Sequence, residues 1–128
     1  MRLLKYLALA ALSVTTLAAK KPAETTFNKY LAKQASSAPI ELDEAAYIEL
    51  TSTARDYAAA VVLTAREAKY ACQLCREFDP EWSIISKSWQ KGDKKGQHRL
   101  LFGTLDFDQG RNVFMKVIYL QTRQSTRR

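Results

Sequence analysis

The pair of cysteines at positions 72 and 75 constrains the fold of this 128-residue chain more than any other feature of its sequence. It begins seven residues after an apolar run, Tyr57–Ala65, whose length and continuous hydrophobicity are typical of a strand covered on both faces. It also opens a segment, Cys72–Gln90, in which apolar residues recur at steps of three and four, as in an amphipathic helix. The sequence therefore predicts two cysteines in the first turn of a helix that follows a buried strand.

That position suits redox chemistry. A helix N-terminus favours thiolate over thiol, because it carries unpaired backbone N–H groups and the positive end of the helix dipole. Cys72 is predicted to be the exposed sulfur that attacks a substrate. Cys75 lies one turn on, within disulfide reach, and is predicted to resolve the mixed disulfide that Cys72 forms. The uncharged residues between them, Gln73 and Leu74, predict moderate oxidising power.

Three other interpretations of the cysteine pair remain open. A purely structural disulfide is geometrically possible at this spacing. A zinc site would need four ligands, and His98 is the only further soft donor, so neither a metal nor another cofactor is predicted. Two reduced core cysteines would not be expected in an oxidising compartment.

The N-terminus indicates such a compartment. Residues 1–19 are predicted to be a signal peptide, with a positive start at Arg2 and Lys5, an apolar stretch, and small residues before a cleavage site at Ala18 or Ala19. An uncleaved anchor is the alternative. The apolar stretch is shorter than the roughly twenty residues of a membrane-spanning helix, and no later segment reaches that length. We therefore expect no membrane span after the signal and a location in the endoplasmic reticulum lumen.

The positive charge does not indicate a nucleic-acid-binding protein. The formal net charge is +7, but two of the basic residues lie in the signal peptide and three lie in the last six positions. No stripe of Lys and Arg alternates with aromatic residues, as a nucleic-acid surface would require.

The other predicted elements complete an alternation of helices and strands. They are a short helix Phe27–Gln34, a linker at 35–39, an extended segment Pro39–Leu42, a helix over 44–52 capped by Asp43, a second buried strand Arg99–Phe107 and a closing helix Asp108–Leu120. This order predicts an α/β domain over residues 40–122 with a parallel sheet, preceded by a lumenal segment and linker at 20–39.

The residues after the cysteines resemble the active-site helix of thioredoxins and protein disulfide isomerases. Those proteins carry a proline five residues after the second cysteine, as Pro80 stands here, and the isomerases often follow it with an acid and an aromatic, here Glu81 and Trp82. A proline inside a helix costs about 3 kcal/mol, so a proline at this position supports the resemblance. We expect it to kink the helix. Thioredoxins place a buried acid in the strand before this helix, where it accepts a proton from the second cysteine. Residues 57–65 contain no acid, so proton transfer to or from Cys75 is assigned to water or to Glu81. Trp82 is predicted to lie in the core, and a place in the peptide groove is the alternative.

Longer motifs resemble one family in particular. They are Arg55-Asp56-Tyr57, Cys72-Gln-Leu-Cys75-Arg-Glu-Phe78, Arg99-Leu-Leu-Phe-Gly-Thr-Leu-Asp-Phe107 and Leu120-Gln-Thr122. Over about Pro39 to Thr122 the chain is similar to the thioredoxin-domain subunits of the oligosaccharyltransferase complex, of fungal type.

The resemblance implies a thioredoxin-like fold and a lumenal thiol–disulfide oxidoreductase that is not itself the glycosyl transferase. It implies that Cys72 and Cys75 hold nascent polypeptides with cysteines as mixed disulfides, which assists N-linked glycosylation, and that other oligosaccharyltransferase subunits are partners. The alternative is a non-catalytic lumenal module that binds peptides or has a structural role, in which the disulfide only locks the helix.

The sequence departs from the family pattern after Thr122. Members continue with Ala-Pro and a hydrophobic strand, whereas residues 123–128 form a divergent basic tail. We therefore expect an incomplete thioredoxin-like domain that lacks the last two strands, the final helix and the four membrane spans, and that is a poor enzyme alone. The strand at 99–107 or its neighbour is expected to keep an unpaired edge.

Three further polar residues are weaker candidates. His98 is predicted to be solvated or to cap a loop, and Asp106 and Asp108 are predicted to cap a helix rather than to form a catalytic pair.

Overall fold

A computed structural model describes residues 22–125, so the predicted signal peptide and the last three residues of the predicted tail lie outside the described part of the chain. The elements are α1 (Pro22–Ser36), β1 (Ile40–Leu42), α2 (Glu44–Thr51), β2 (Ala58–Thr64), α3 (Gln73–Gly92), β3 (Leu100–Asp106) and α4 (Arg111–Ser125), with short 3₁₀ turns at Ala68–Tyr70 and Phe107–Gln109. Within these residues no helix combines the length and the apolar character needed to cross a membrane.

The three strands form one parallel sheet in the order β1-β3-β2. Ile40 lies opposite Gly103, and Ala58 lies opposite Leu100. Each connection between strands contains a helix, as parallel pairing requires. The predicted α/β class with a parallel sheet is therefore confirmed.

The strand order corrects one expectation. The apolar run at 57–65 predicted a strand covered on both faces, but β2 is an edge strand and most of its side chains are half-buried. The centre is β3, where Leu101 and Leu105 are fully buried. The reason is that β3 has a strand on each side, whereas β2 pairs on one side only among the described residues. Among the described residues β3 is paired on both sides, whereas each of its neighbours, β2 and β1, keeps one unpaired edge.

The main hydrophobic core lies on the face of the sheet that carries Leu42, Leu101 and Leu105. Buried residues of α1, α2 and α4 pack against this face: Phe27, Tyr30, Leu50 and Val113. The helix α1 is longer than the predicted 27–34. Packing of α1 on the sheet stabilises its first and last turns, which the polar residues at the two ends of this segment did not predict.

Successive residues of β3 point to opposite sides of the sheet, so Phe102 faces away from the main core. The helix α3 packs on that opposite face. The rings of Trp82 and Phe102 lie 5.3 Å apart, and Trp82 Nε1 donates a hydrogen bond of 3.3 Å to the carbonyl oxygen of Gly103. Trp82 is buried, which confirms its predicted place in the core. Pro80 lies inside α3, near the middle of the helix.

Candidate redox site

Cys72 forms the N-terminal cap of α3. Its Sγ accepts a hydrogen bond of 3.3 Å from the backbone N–H of Cys75. Ala71, immediately before it, has a positive φ of 49° and turns the chain from the short 3₁₀ helix into α3. The sulfur thus takes the place that a side-chain oxygen usually fills at a helix start.

Cys72 and Cys75 are joined by a disulfide, with their Cα atoms 5.3 Å apart, a normal separation for such a bond. Both residues are partly exposed. The bond therefore lies at the surface, at the positive end of α3, where an incoming thiolate can reach it.

Arg66 anchors the loop that leads to the cysteines. Its backbone N–H donates to Asp106 Oδ2 over 3.1 Å, and its guanidinium contacts Glu41 at 2.8 Å and Asp79 at 3.5 Å. These contacts connect the loop with the ends of β1 and β3 and with α3. The pKa of Arg66 is raised, first by the hydrogen bond to Glu41, so the side chain stays cationic.

A second anchor lies closer to the cysteines. The hydroxyl of Tyr70 donates to Asp108 Oδ1 over 2.6 Å, and Lys69 and Arg111 bind the same carboxylate at 3.1 and 2.9 Å. These bonds, that of Tyr70 first, hold the pKa of Asp108 well below its usual range. Asp106 caps the turn at Phe107–Gln109, as predicted for a capping acid, whereas Asp108 instead anchors the loop before Cys72. Because that turn is separate, α4 begins at Arg111 rather than at Asp108.

A cavity of about 210 Å³ lies beside the disulfide, between β2 and α3. It is lined by Val62, Leu63, Thr64, Leu74, Cys75, Phe78, Asp79 and Trp82. Leu74 is 74% exposed and Phe78 is 41% exposed, so apolar surface faces solvent next to Cys75. Thr64 is 4% exposed, and its hydroxyl is buried with no hydrogen-bond partner in the described part of the chain.

The three residues predicted to support the cysteines, Pro80, Glu81 and Trp82, do not all line the cavity beside the disulfide. Trp82 lines the cavity, whereas Pro80 and Glu81 are exposed on α3 and are not among the described residues that line it. Asp79 and Thr64 were not predicted from the sequence to lie at this site. Asp79 could have been found from its position, one helical turn after Cys75. Nothing in the sequence around Thr64 indicates that this residue lines a cavity beside Cys75.

His98 lies away from the cysteines and forms part of a closed loop. Its Nδ1 is 3.3 Å from Asp93 Oδ2, and its backbone N–H donates to the same oxygen over 2.9 Å. The backbone hydrogen bond from His98 is the largest cause of the lowered pKa of Asp93. Within residues 22–125, no cluster of three or more His, Cys, Asp or Glu side chains is arranged to hold a metal ion.

Comparison with known proteins gives one family and several relatives. The family model described as "OST3 / OST6 family, transporter family" matches residues 28–122. The chain is similar to dolichyl-diphosphooligosaccharide–protein glycosyltransferase subunit MAGT1 of Xenopus laevis, with 34% identity over 65 residues, which cover 51% of this chain and 20% of that protein. The MAGT1 subunit of Homo sapiens is 33% identical over 60 residues, which cover 47% of this chain and 18% of that protein. The chain spans about a fifth of the length of these curated relatives.

Proposed function

The chain belongs to the OST3 / OST6 family, and on that basis we propose that it is a thiol–disulfide oxidoreductase-like subunit that assists N-linked glycosylation. It acts in the endoplasmic reticulum lumen together with other oligosaccharyltransferase subunits, which fits the names of its relatives. The proposed substrates are nascent polypeptides that carry cysteines. The proposed fold is thioredoxin-like, and the parallel order β1-β3-β2 with a disulfide at the start of α3 supports it.

The observation that carries the proposal is the accessible disulfide at the N-terminus of α3, where Cys72 is also the helix cap. A structural disulfide would be expected to be shielded, whereas both cysteines here are partly exposed. The exposed side chains of Leu74 and Phe78 beside the bond offer apolar contacts to a peptide.

Capture follows ordinary thiol–disulfide exchange. A substrate thiolate attacks Sγ of Cys72, the Cys72–Cys75 bond breaks, and Cys75 leaves as a thiolate that takes up a proton. The substrate sulfur is oxidised into a mixed disulfide with Cys72, and the sulfur of Cys75 is reduced. In the reverse step Cys75 loses its proton and attacks Cys72, and the substrate leaves as a thiolate. A peptide can thus be held and then released in its original redox state.

The alternative function is a lumenal peptide-binding or structural module, and the bond by which Cys72 caps α3 is the observation that favours it. The two functions differ in reduction potential. We therefore propose to equilibrate the full chain in graded glutathione buffers and to quantify the reduced form by alkylation. A reversible couple near the lumenal range, about −180 to −210 mV, is expected for the oxidoreductase. A potential below about −300 mV would contradict the proposal and support the structural module.

A further inference from the structure

Resolution of a mixed disulfide requires a group that takes the proton of Cys75. Water or Glu81 was predicted for this role, and Glu81 is exposed and is not among the described residues that line the cavity beside Cys75. It lies six residues after Cys75, which at 3.6 residues per turn places the two side chains on different sides of α3. The proton acceptor must therefore be sought elsewhere.

Asp79 lies on the same face of α3 as Cys75, whereas Glu81 does not. It lies four residues after Cys75, so the two side chains are neighbours on one face of α3, with Cβ atoms about 5–6 Å apart. Both residues line the same cavity of about 210 Å³. The side chain of Asp79 is 43% exposed, so it can pass a proton on to solvent.

Thr64 provides an independent sign that this cavity receives a polar group. It lies at the end of β2, on the sheet side of the cavity, and its buried hydroxyl has no partner among residues 22–125. Buried polar groups in native proteins are nearly always paired, with protein or with water, so this hydroxyl is available to a polar group that enters the cavity. A hydroxyl can donate to a thiolate, which the disulfide form does not offer.

Asp79 is the charged residue among the described residues that line the cavity, and it is linked to a network of charges at the ends of the strands. Asp79 on α3 contacts the guanidinium of Arg66 at 3.5 Å. The same guanidinium binds Glu41 on β1 at 2.8 Å and Asp106 on β3 at 3.4 Å. Arg66 thus fixes the carboxylate of Asp79 from the side of the sheet.

We propose that Asp79 accepts the proton of the Cys75 thiol during resolution, directly or through one water, while the Thr64 hydroxyl hydrogen-bonds the Cys75 sulfur. This inference rests on the proposed function. The proton passes to the carboxylate of Asp79, the Cys75 thiolate bonds to Sγ of Cys72, and the bond between Cys72 and the substrate breaks. The substrate departs as a thiolate, and Asp79 then releases the proton to solvent.

The test follows the reaction of the reduced full chain with oxidised glutathione, with acid quenching and mass spectrometry to count the mixed disulfide. Asp79→Asn is expected to leave formation of the mixed disulfide within about twofold and to slow its resolution at least about tenfold at pH 7. The deficit should shrink toward pH 9, where hydroxide removes the proton. Thr64→Val should slow resolution by a smaller factor. Glu81→Gln, which makes the same change of charge on the same helix, should match the wild type.

Each outcome decides the inference. Resolution by Asp79→Asn that is as fast as, or faster than, that of the wild type would overturn it, as would an equal loss in Glu81→Gln. Asp79→Glu keeps the carboxylate and should recover part of the rate, which a loss of folding would not explain. If the wild type forms no mixed disulfide, the proposed function fails as well. If the wild type forms and resolves the mixed disulfide and Asp79→Asn does so equally fast, the inference fails while the proposed function stands.

Discussion

The backbone N–H of Cys75 donates a hydrogen bond of 3.3 Å to Sγ of Cys72. One of the N–H groups left unpaired at the start of α3 therefore points at the sulfur that we expect to react. A thiolate is a better acceptor for this N–H than a thiol, so reduction of the disulfide should place negative charge on Cys72. Cys75 therefore has two roles: its sulfur forms the disulfide with Cys72, and its backbone N–H stabilises the Cys72 thiolate after reduction.

The two cysteines are accordingly expected to behave differently when one is removed. The Cys75→Ser variant keeps the helix-capping sulfur. Given a peptide whose cysteine is already in a disulfide with glutathione, its Cys72 thiolate should displace glutathione as a thiolate and accumulate as the mixed disulfide with the peptide, because no second protein thiol remains to release it. The Cys72→Ser variant should form at least about tenfold less in the same time, because its remaining sulfur is not at the cap position. Non-reducing gels and mass spectrometry measure both yields. Equal yields would contradict the assigned order of attack.

Gln34 is expected to contribute strongly to stability. Its Oε1 accepts the backbone N–H of Phe102 over 2.7 Å, in a part of β3 that β1 does not reach, since β1 pairs only with Gly103–Leu105. The Gln34→Leu variant would leave a buried N–H unpaired and should lower the free energy of unfolding by about 1–3 kcal/mol. Urea denaturation measures this loss, and amide exchange at Phe102 should become faster. Gln121→Leu, on the exposed surface of α4, serves as the control and should change stability by less than about 0.5 kcal/mol.

Two glycines should respond in opposite ways to alanine. A Cβ at Gly103 would lie 2.6 Å from Leu42 Cδ1, and Leu42 is buried, so Gly103→Ala should cost about 1–3 kcal/mol of stability. A Cβ at Gly92 would meet nothing within 4 Å in the last turn of α3. Gly92→Ala should therefore stabilise the protein by up to about 1 kcal/mol, because alanine is the better helix former. Thermal and urea denaturation of the two variants test the pair, and a stabilised Gly103→Ala would show that the packing around Leu42 can adjust.

Stability should fall in acid, in part through Asp108. The hydrogen bonds from Tyr70, Arg111 and Lys69 lower the pKa of Asp108 in the folded state. A lowered pKa means that the carboxylate stabilises the fold above the unfolded value, about 4, and that this contribution is lost as the pH falls below it. The urea midpoint of the wild type should decrease below about pH 4. Asp108→Asn should have a lower midpoint at pH 7 and a flatter decrease.

Other carboxylates limit the size of that effect. The pKa of Glu49 is also lowered, mainly by its hydrogen bond from Lys29, and so is the pKa of Asp93. Asp108→Asn should therefore reduce the acid sensitivity without abolishing it. Glu81→Gln makes the same change of charge at an exposed position and serves as the control for the urea midpoint of Asp108→Asn at pH 7. An Asp108→Asn profile parallel to the wild type would show that the contacts of Asp108 do not stabilise the fold.

Local features of the sequence determined much of the fold. Asp43 was predicted to cap a helix, and its side chain accepts a hydrogen bond of 2.7 Å from the backbone N–H of Ala46 at the start of α2. The period of the apolar residues predicted α3 and the burial of Trp82, and the position of Cys72 at a helix start followed from the adjacent strand pattern. These features depend on residues within about one or two helical turns of each other, so a short window of sequence contains them.

Only the tertiary structure decided which strand is central and which polar groups meet. The apolar run of β2 is as hydrophobic as that of a central strand, so the sequence could not show that β2 lies at an edge. The central position belongs to β3, which pairs with β1 on one side and with β2 on the other. Arg66 and Asp106 are 40 residues apart, and Gln34 and Phe102 are 68 apart. Thr64 and Asp79 line the same cavity from β2 and from α3. Such contacts depend on how helices and strands pack together, which no local period or cap encodes. For that reason the sequence identified the cysteine pair by itself, whereas the surroundings of Cys75 became known only from the fold.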